Sequence, residues 1–307
     1  MNELLYKIVN VGTLQVRQIT VENLSGYVEA VEAIYKDVAP KRKLFFRGHA
    51  DYTWKLLPTV FRENYSEKQI ALDYKQFLFQ FGTKYDCYRH CDLMLGDMQH
   101  YGIPTRLLDW SIDPLCALFF AANEQENPYK RTVLQTSAED ELCEYEKTDG
   151  CVWVHNPWNW NSRIMGECRF MEMHPCAHDA NLYARSLLSY NFDMETIKAF
   201  VHERFHSFDV EHLDITEPMD VVNPFTNERK RAQSGGFMIF GSRKCDLREN
   251  LEFCKDAIMI RIPYSAKKTI LSELNNLNVN AFTVYPDRKG FAQVIKDFGS
   301  PFNLTKV

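Results

Sequence analysis

Several common signatures are absent from these 307 residues. No apolar run reaches the length of a membrane span. The N-terminus, MNELLYKIVNVGTLQVRQIT, carries no signal-like apolar block. No GxGxxG follows a strand, and there is neither a Walker loop nor a GxSxG elbow, which disfavours Rossmann dehydrogenases, nucleotide kinases and α/β-hydrolases. Internal repeats and low-complexity segments are lacking. Positive charge is not in excess: the net charge is -5, so there is no overall electrostatic footprint for nonspecific DNA binding, though a local basic track such as NERKRAQ stays open. The nine cysteines are an odd number, and none forms a CxxC framework. Together these features predict reduced thiols in a soluble, cytoplasmic protein.

What is present is apolar and aromatic: 45% hydrophobic and 13% aromatic residues support a buried core. Helical and strand patterns interleave without the regular spacing of a βαβ wheel, which predicts an α+β fold with a mixed, mainly antiparallel sheet. VRQITV and KLFFRG read as strands, the second ending at Gly48. The segment from Thr20 to Val38 reads as an amphipathic helix with a polar opening at Thr20. Ser66 is a plausible cap for a long helix, and Asp113-Pro114 is a strong helix start. Cys151 to His155 reads as a strand broken by Pro157. GGFMIF and DAIMIRIPY are strands and SAKKTILSELNNLNV a helix. AFTVYPDRKGFAQVIKDFG reads as a strand, a turn and a terminal helix. Residues 128–150 and 161–222 give few signals and read as loops or an insertion within a single domain spanning 1–307.

The densest polar segment is QHYGIPTRLLDWS, with Gln99, His100, Tyr101, Thr105, Arg106, Asp109, Trp110 and Ser111 ahead of an apolar helix. Buried, these groups must be paired. Either Arg106 and Asp109 form an internal ion pair, or the group lines an anion-accepting pocket near the helix start. Arg47, at a strand end, either snorkels to solvent or is aimed at a ligand. His49 beside it is ambiguous, and Trp54 and Pro58 read as covers of the core edge. Gln233 lies just ahead of Gly235 and Gly236, glycines that mark a bulge or a close backbone approach. Asp287 is most simply a turn residue and helix opener. HERFH, His202 to His206, satisfies HExxH, so His202, Glu203 and His206 form the alternative of a zinc hydrolase. No metal is otherwise expected.

Phe46-Arg47-Gly48, then Trp54, Leu57 and Pro58, then QHYGIPTRLLDWSIDPLCALFFAA, AQSGGFMIF, IRIP and VYPDRKGFAQVI, in that order, resemble the FRG domain family from about Gln15 to Ile295. That family occurs in bacteria and phages, and the resemblance implies a role in phage defence or as a toxin. By analogy, the order of elements also resembles ADP-ribosyltransferases of the Arg–Ser–Glu class. The analogy implies NAD as substrate, with Arg47 holding its phosphates and Gly48, His100, Tyr101, Thr105 and Ser111 in the binding pocket. Thr105, Arg106 and Asp109 would shape the catalytic pocket, with Gln233 or Asp287 near the ribose. The family's glutamate is replaced by Gln233. Either another acid serves (Glu228, Asp287 and Asp109 are nearest) or the chain binds a nucleotide without cleaving it. Implied partners are a nucleotide and a phage, host-protein or nucleic-acid target, without a membrane.

Overall fold

The structure is a computed structural model that describes residues 6–39, 43–62, 65–81, 91–123, 148–165, 171–172, 217–222, 228–241 and 243–299. Among the described residues, nine strands form one sheet in the order β1-β2-β9-β5-β3-β4-β8-β7-β6. They are β1 (Lys7–Val11), β2 (Leu14–Thr20), β3 (Phe45–His49), β4 (Leu107–Ser111), β5 (Gly150–His155), β6 (Met171–Glu172), β7 (Met219–Val222), β8 (Gly235–Ile239) and β9 (Ile258–Ile262). Only β2–β9 and β6–β7 pair in parallel; the other neighbours are antiparallel. The fold is α+β, as the interleaved pattern predicts.

The helices among the described residues are α1 (Leu24–Val38), α2 (Thr59–Arg62), α3 (Glu67–Phe81), α4 (Cys91–His100), α5 (Pro114–Ala122), α6 (Pro157–Met165), α7 (Glu228–Ala232), α8 (Leu251–Asp256), α9 (Tyr264–Asn276), α10 (Ala281–Val284) and α11 (Arg288–Phe298). None is long and apolar enough to cross a membrane. Strand alternation sends neighbouring side chains to opposite faces, so Phe45 and Phe46 enter different apolar clusters. Phe46 packs with Val152, Val154 and Ile260 against α1, α5 and α9. Phe45 packs with Trp110, Trp153 and Phe253, together with residues of α2, α3 and α4.

The caps explain most helix starts. The Asp113 carboxylate accepts from Leu115 N and Cys116 N, with Pro114 at the first position. The Ser66 hydroxyl accepts from Gln69 N at 3.1 Å. Helix α1 starts later than expected: Asn23, not Thr20, is its cap. Pro157 opens a helix rather than merely ending a strand, because the Asn156 side chain accepts from Trp158 N and Asn159 N. AFTV is a helical turn, not a strand. The Asn280 side chain and the Thr283 hydroxyl form a reciprocal capping box there, which outweighs the β-branched composition. LLDWS, which gives no alternation, is strand β4.

Glycines allow the closest approach of α5 to the sheet. A Cβ on Gly48 would lie 1.9 Å from the Ala117 carbonyl oxygen, and one on Gly150 would lie 2.1 Å from that of Ala121. Both glycines therefore let backbone meet backbone, on neighbouring strands and under the same helix.

Candidate functional site: a cleft where two strands part

Strand β3 pairs with β5 along its whole length, from Phe45–His155 to His49–Cys151. Its other edge meets β4 at Phe46–Ser111 and nowhere else. Continuing that register would set Gly48 opposite Asp109. Instead, Arg47 Nη1 donates to the Asp109 carbonyl oxygen, so a side chain replaces a ladder bond. The opening between the strands is a cleft of about 380 Å³, walled by Arg47, Gly48, His49, Gln99, Asp109 and Gln233, among others.

The charge around it is uneven. Arg47, Lys55 and Arg62 line the cleft, against one carboxylate, Asp109. Burial pushes the Arg47 guanidinium down to about 10, with the Asp109 charge opposing that shift and Arg62 adding to it. It therefore stays charged at neutral pH. Its Nε donates to His49 Nε2 at 2.9 Å, and Nη2 has no partner among the described residues. Burial, then Arg47, Arg62 and Arg248, hold the His49 imidazole well below its usual pKa, so the ring is neutral.

Two further chains of contacts shape the walls. The Thr105 hydroxyl donates to Gln99 Oε1 at 2.7 Å, and Gln99 Nε2 donates to Asp109 Oδ2 at 2.7 Å. Thr105 is buried and absent from the wall; it reaches the cleft through Gln99. On the opposite side, the Ser111 hydroxyl donates to the Gln233 carbonyl oxygen at 2.7 Å. That bond holds a turn in which Ser234 adopts φ 46°, a left-handed conformation uncommon for a residue other than glycine. Gln233 Nε2 donates to Val284 O at 3.2 Å, tying the mouth of β8 to α10.

Of the residues singled out from sequence, Arg47, Gly48, His100, Asp109, Ser111 and Gln233 share the cleft. Arg106, Tyr101 and Asp287 are not on its wall. Arg106 is 1% exposed, donates to Gly241 O at 2.7 Å and lies over the Phe61 ring. Tyr101 is 70% exposed and packs on His100. Asp287 caps α11 by accepting from Gly290 N. Gly236 lines the cleft, but its lack of a side chain is explained by packing: a Cβ there would lie 2.5 Å from the Phe45 ring. Trp54 is a wall residue in contact with the His49 ring, not only a cover of the core edge. Lys55, Arg62, Phe120 and Tyr285 also line the cleft; no local motif marks Lys55 and Arg62, while Phe120 and Tyr285 lie within the ALFFAA and VYPD motifs without standing out as site residues. The HERFH histidines, His202 and His206, and Glu203 lie outside the described residues, and no group of metal-ligating side chains is found among the described ones.

The architecture is thus an α+β sheet that parts at the Phe-Arg-Gly strand. Residues 42–130 match the family model of the FRG domain. No curated protein and no solved structure matches the chain.

Proposed function

We propose that the cleft binds an anionic nucleotide, with NAD as the ligand, and that the protein is an NAD-using ADP-ribosyltransferase or NAD-degrading effector. The observation that carries this is Arg47. It is a charged guanidinium oriented by uncharged acceptors, in a cleft with two more cations and one carboxylate. A planar guanidinium suits a pyrophosphate, which it can grip through two parallel hydrogen bonds. Trp54, Phe120 and Tyr285 put aromatic rings on the wall, where a base could stack. The cleft volume of about 380 Å³ falls in the usual range for small-molecule sites, roughly 300–1,000 Å³.

In the reaction, the bond from ribose C1′ to the nicotinamide nitrogen breaks and its electron pair leaves with nicotinamide. Water or an acceptor hydroxyl then bonds to C1′ and releases its proton. Positive charge builds on the ribose, and a fixed carboxylate stabilises it. Asp109 is the carboxylate on this wall, and Gln99 orients it. Incubation with NAD should release nicotinamide. Arg47→Ala should abolish stabilisation of the protein by NAD, while Asp109→Asn should keep that stabilisation and slow release about a hundredfold or more. Absence of release from the wild type, with phage or nucleic-acid triggers included, would remove the enzymatic reading.

A second reading has its own observation. Gln233 stands where the ADP-ribosyltransferase pattern expects an acid, and its amide is engaged by Val284 O. This favours a non-enzymatic module that senses a nucleotide or a phage protein. Stabilisation by NAD without turnover, lost in Arg47→Ala, would select it.

A further inference from the structure

Arg47 is held in an unusual way for a half-buried guanidinium. Such a group ordinarily meets a carboxylate. Both hydrogen-bond acceptors of Arg47 are instead uncharged: the His49 ring nitrogen and the Asp109 carbonyl oxygen. No ion pair closes on Arg47 among the described residues.

The origin of the arrangement is local. Residues two apart on a strand share a face, so β3 sets His49 beside Arg47. His49 is 2% exposed, and its ring packs on Trp54 at 5.8 Å between centroids. Its Nε2 accepts from Arg47, which leaves the ring proton on Nδ1. A carboxylate at this position would also orient the guanidinium, but it would cancel its charge. A protonated imidazole would repel it. A neutral histidine orients without cancelling.

We infer that His49 is the positioning residue of the cleft: it fixes the plane of the Arg47 guanidinium and leaves its positive charge for a phosphate oxyanion. The inference rests on the reading of the cleft as an anion site, and it adds the residue that makes Arg47 available. Lys55 and Arg62 lie on the same wall and provide long-range attraction. The directed contact belongs to Arg47.

The test is calorimetric titration of the full chain with inorganic pyrophosphate, paired with thermal unfolding without ligand. Three variants separate charge from shape. His49→Gln keeps a neutral acceptor, and its affinity should stay within about threefold of wild type. His49→Glu keeps an acceptor and adds the cancelling charge. It should lose about tenfold to a hundredfold in affinity, the range of a charge-assisted hydrogen bond, while its unfolding temperature stays at or above that of wild type. His49→Leu keeps an apolar body against Trp54 and drops the acceptor, and should lose about tenfold. Equal affinity of wild type, His49→Glu and His49→Leu would overturn the role of His49 and leave the anion site standing. A parallel fall of affinity and unfolding temperature in all three would show a purely structural histidine. No pyrophosphate binding by the wild type would overturn the anion site itself, and this inference with it.

Discussion

The two edges of β3 are held in opposite ways. Toward β5 the strand is zipped from Phe45 to His49; toward β4 it is stitched at Phe46 and then released. The closed edge serves the core. Trp153 and Val152 lie on it fully buried, and α5 presses onto Gly48 and Gly150. The open edge gives up ladder bonds and gains a cleft, with Arg47 supplying one of the missing donors. The same five residues therefore anchor the sheet and expose a cation. In the Phe-Arg-Gly motif, each member has a separate reason. Phe46 fills the core, Arg47 spans the gap, and Gly48 admits the helix.

That contrast can be broken from either side. The largest effect belongs to the closed edge. Gly48→Ala drives a methyl group into the Ala117 carbonyl, a backbone atom that cannot swing away. It should cost about 3 kcal/mol or more, the upper end of overpacking, as read by chemical denaturation. Gly236→Ala, on the far side of the open edge, meets the ring of Phe45 instead. A side chain yields more readily than backbone, so the expected cost is about 1–2 kcal/mol. Equal losses for the two variants would erase the distinction between backbone and side-chain contact.

The smallest effect concerns the core beyond the cleft. His155 and Asp220 face each other at 3.4 Å, 2% and 0% exposed. Burial raises the Asp220 carboxyl above its usual pKa, with the nearby His155 opposing the shift. A raised carboxyl favours the protonated folded state. Its contribution is therefore fully present below the unfolded pKa, near 4, and is lost as pH rises through the folded value. Asp220→Asn stays neutral throughout. Its stability relative to wild type should rise between pH 4 and pH 8, and denaturation curves across that range that keep a constant difference would refute this. Cleft affinity should be unchanged.

The legible parts of the chain were those whose cause is local. Asp113-Pro114 and Ser66 mark helix starts because their oxygens satisfy the next few amides. Phe46-Arg47-Gly48 and the GGFMIF strand are visible as short apolar runs bounded by glycine. AFTV misled because a capping box spans only four residues and its composition is that of a strand. Within the cleft, Arg47, Asp109 and Gln233 stood out through their motifs. Lys55 and Arg62 did not, since they reach the cleft from a loop and a short helix; Phe120 and Tyr285 belong to the ALFFAA and VYPD motifs, but spacing does not show that their rings line the cleft. Only the tertiary fold brings such residues together. Thr105 stands out as one of the polar groups of QHYGIPTRLLDWS, but its route through Gln99 is a matter of side-chain direction, which spacing does not carry.

Strand β9 comes from Ile258–Ile262, yet it lies between β2 and β5. On the ribosome, the hairpin of β1 and β2 therefore waits for most of the chain to be synthesised before it gains its next neighbour. The FRG segment, residues 42–130, is in the same position. It contains β3 and β4, whereas the β5 and β8 strands that flank them are translated afterwards. A fragment cut to that segment would leave both long edges of its two strands without partners, a surface prone to edge-to-edge association. The cleft is thus a late product of translation, since wall residues such as Gln233 and Tyr285 are added long after Arg47.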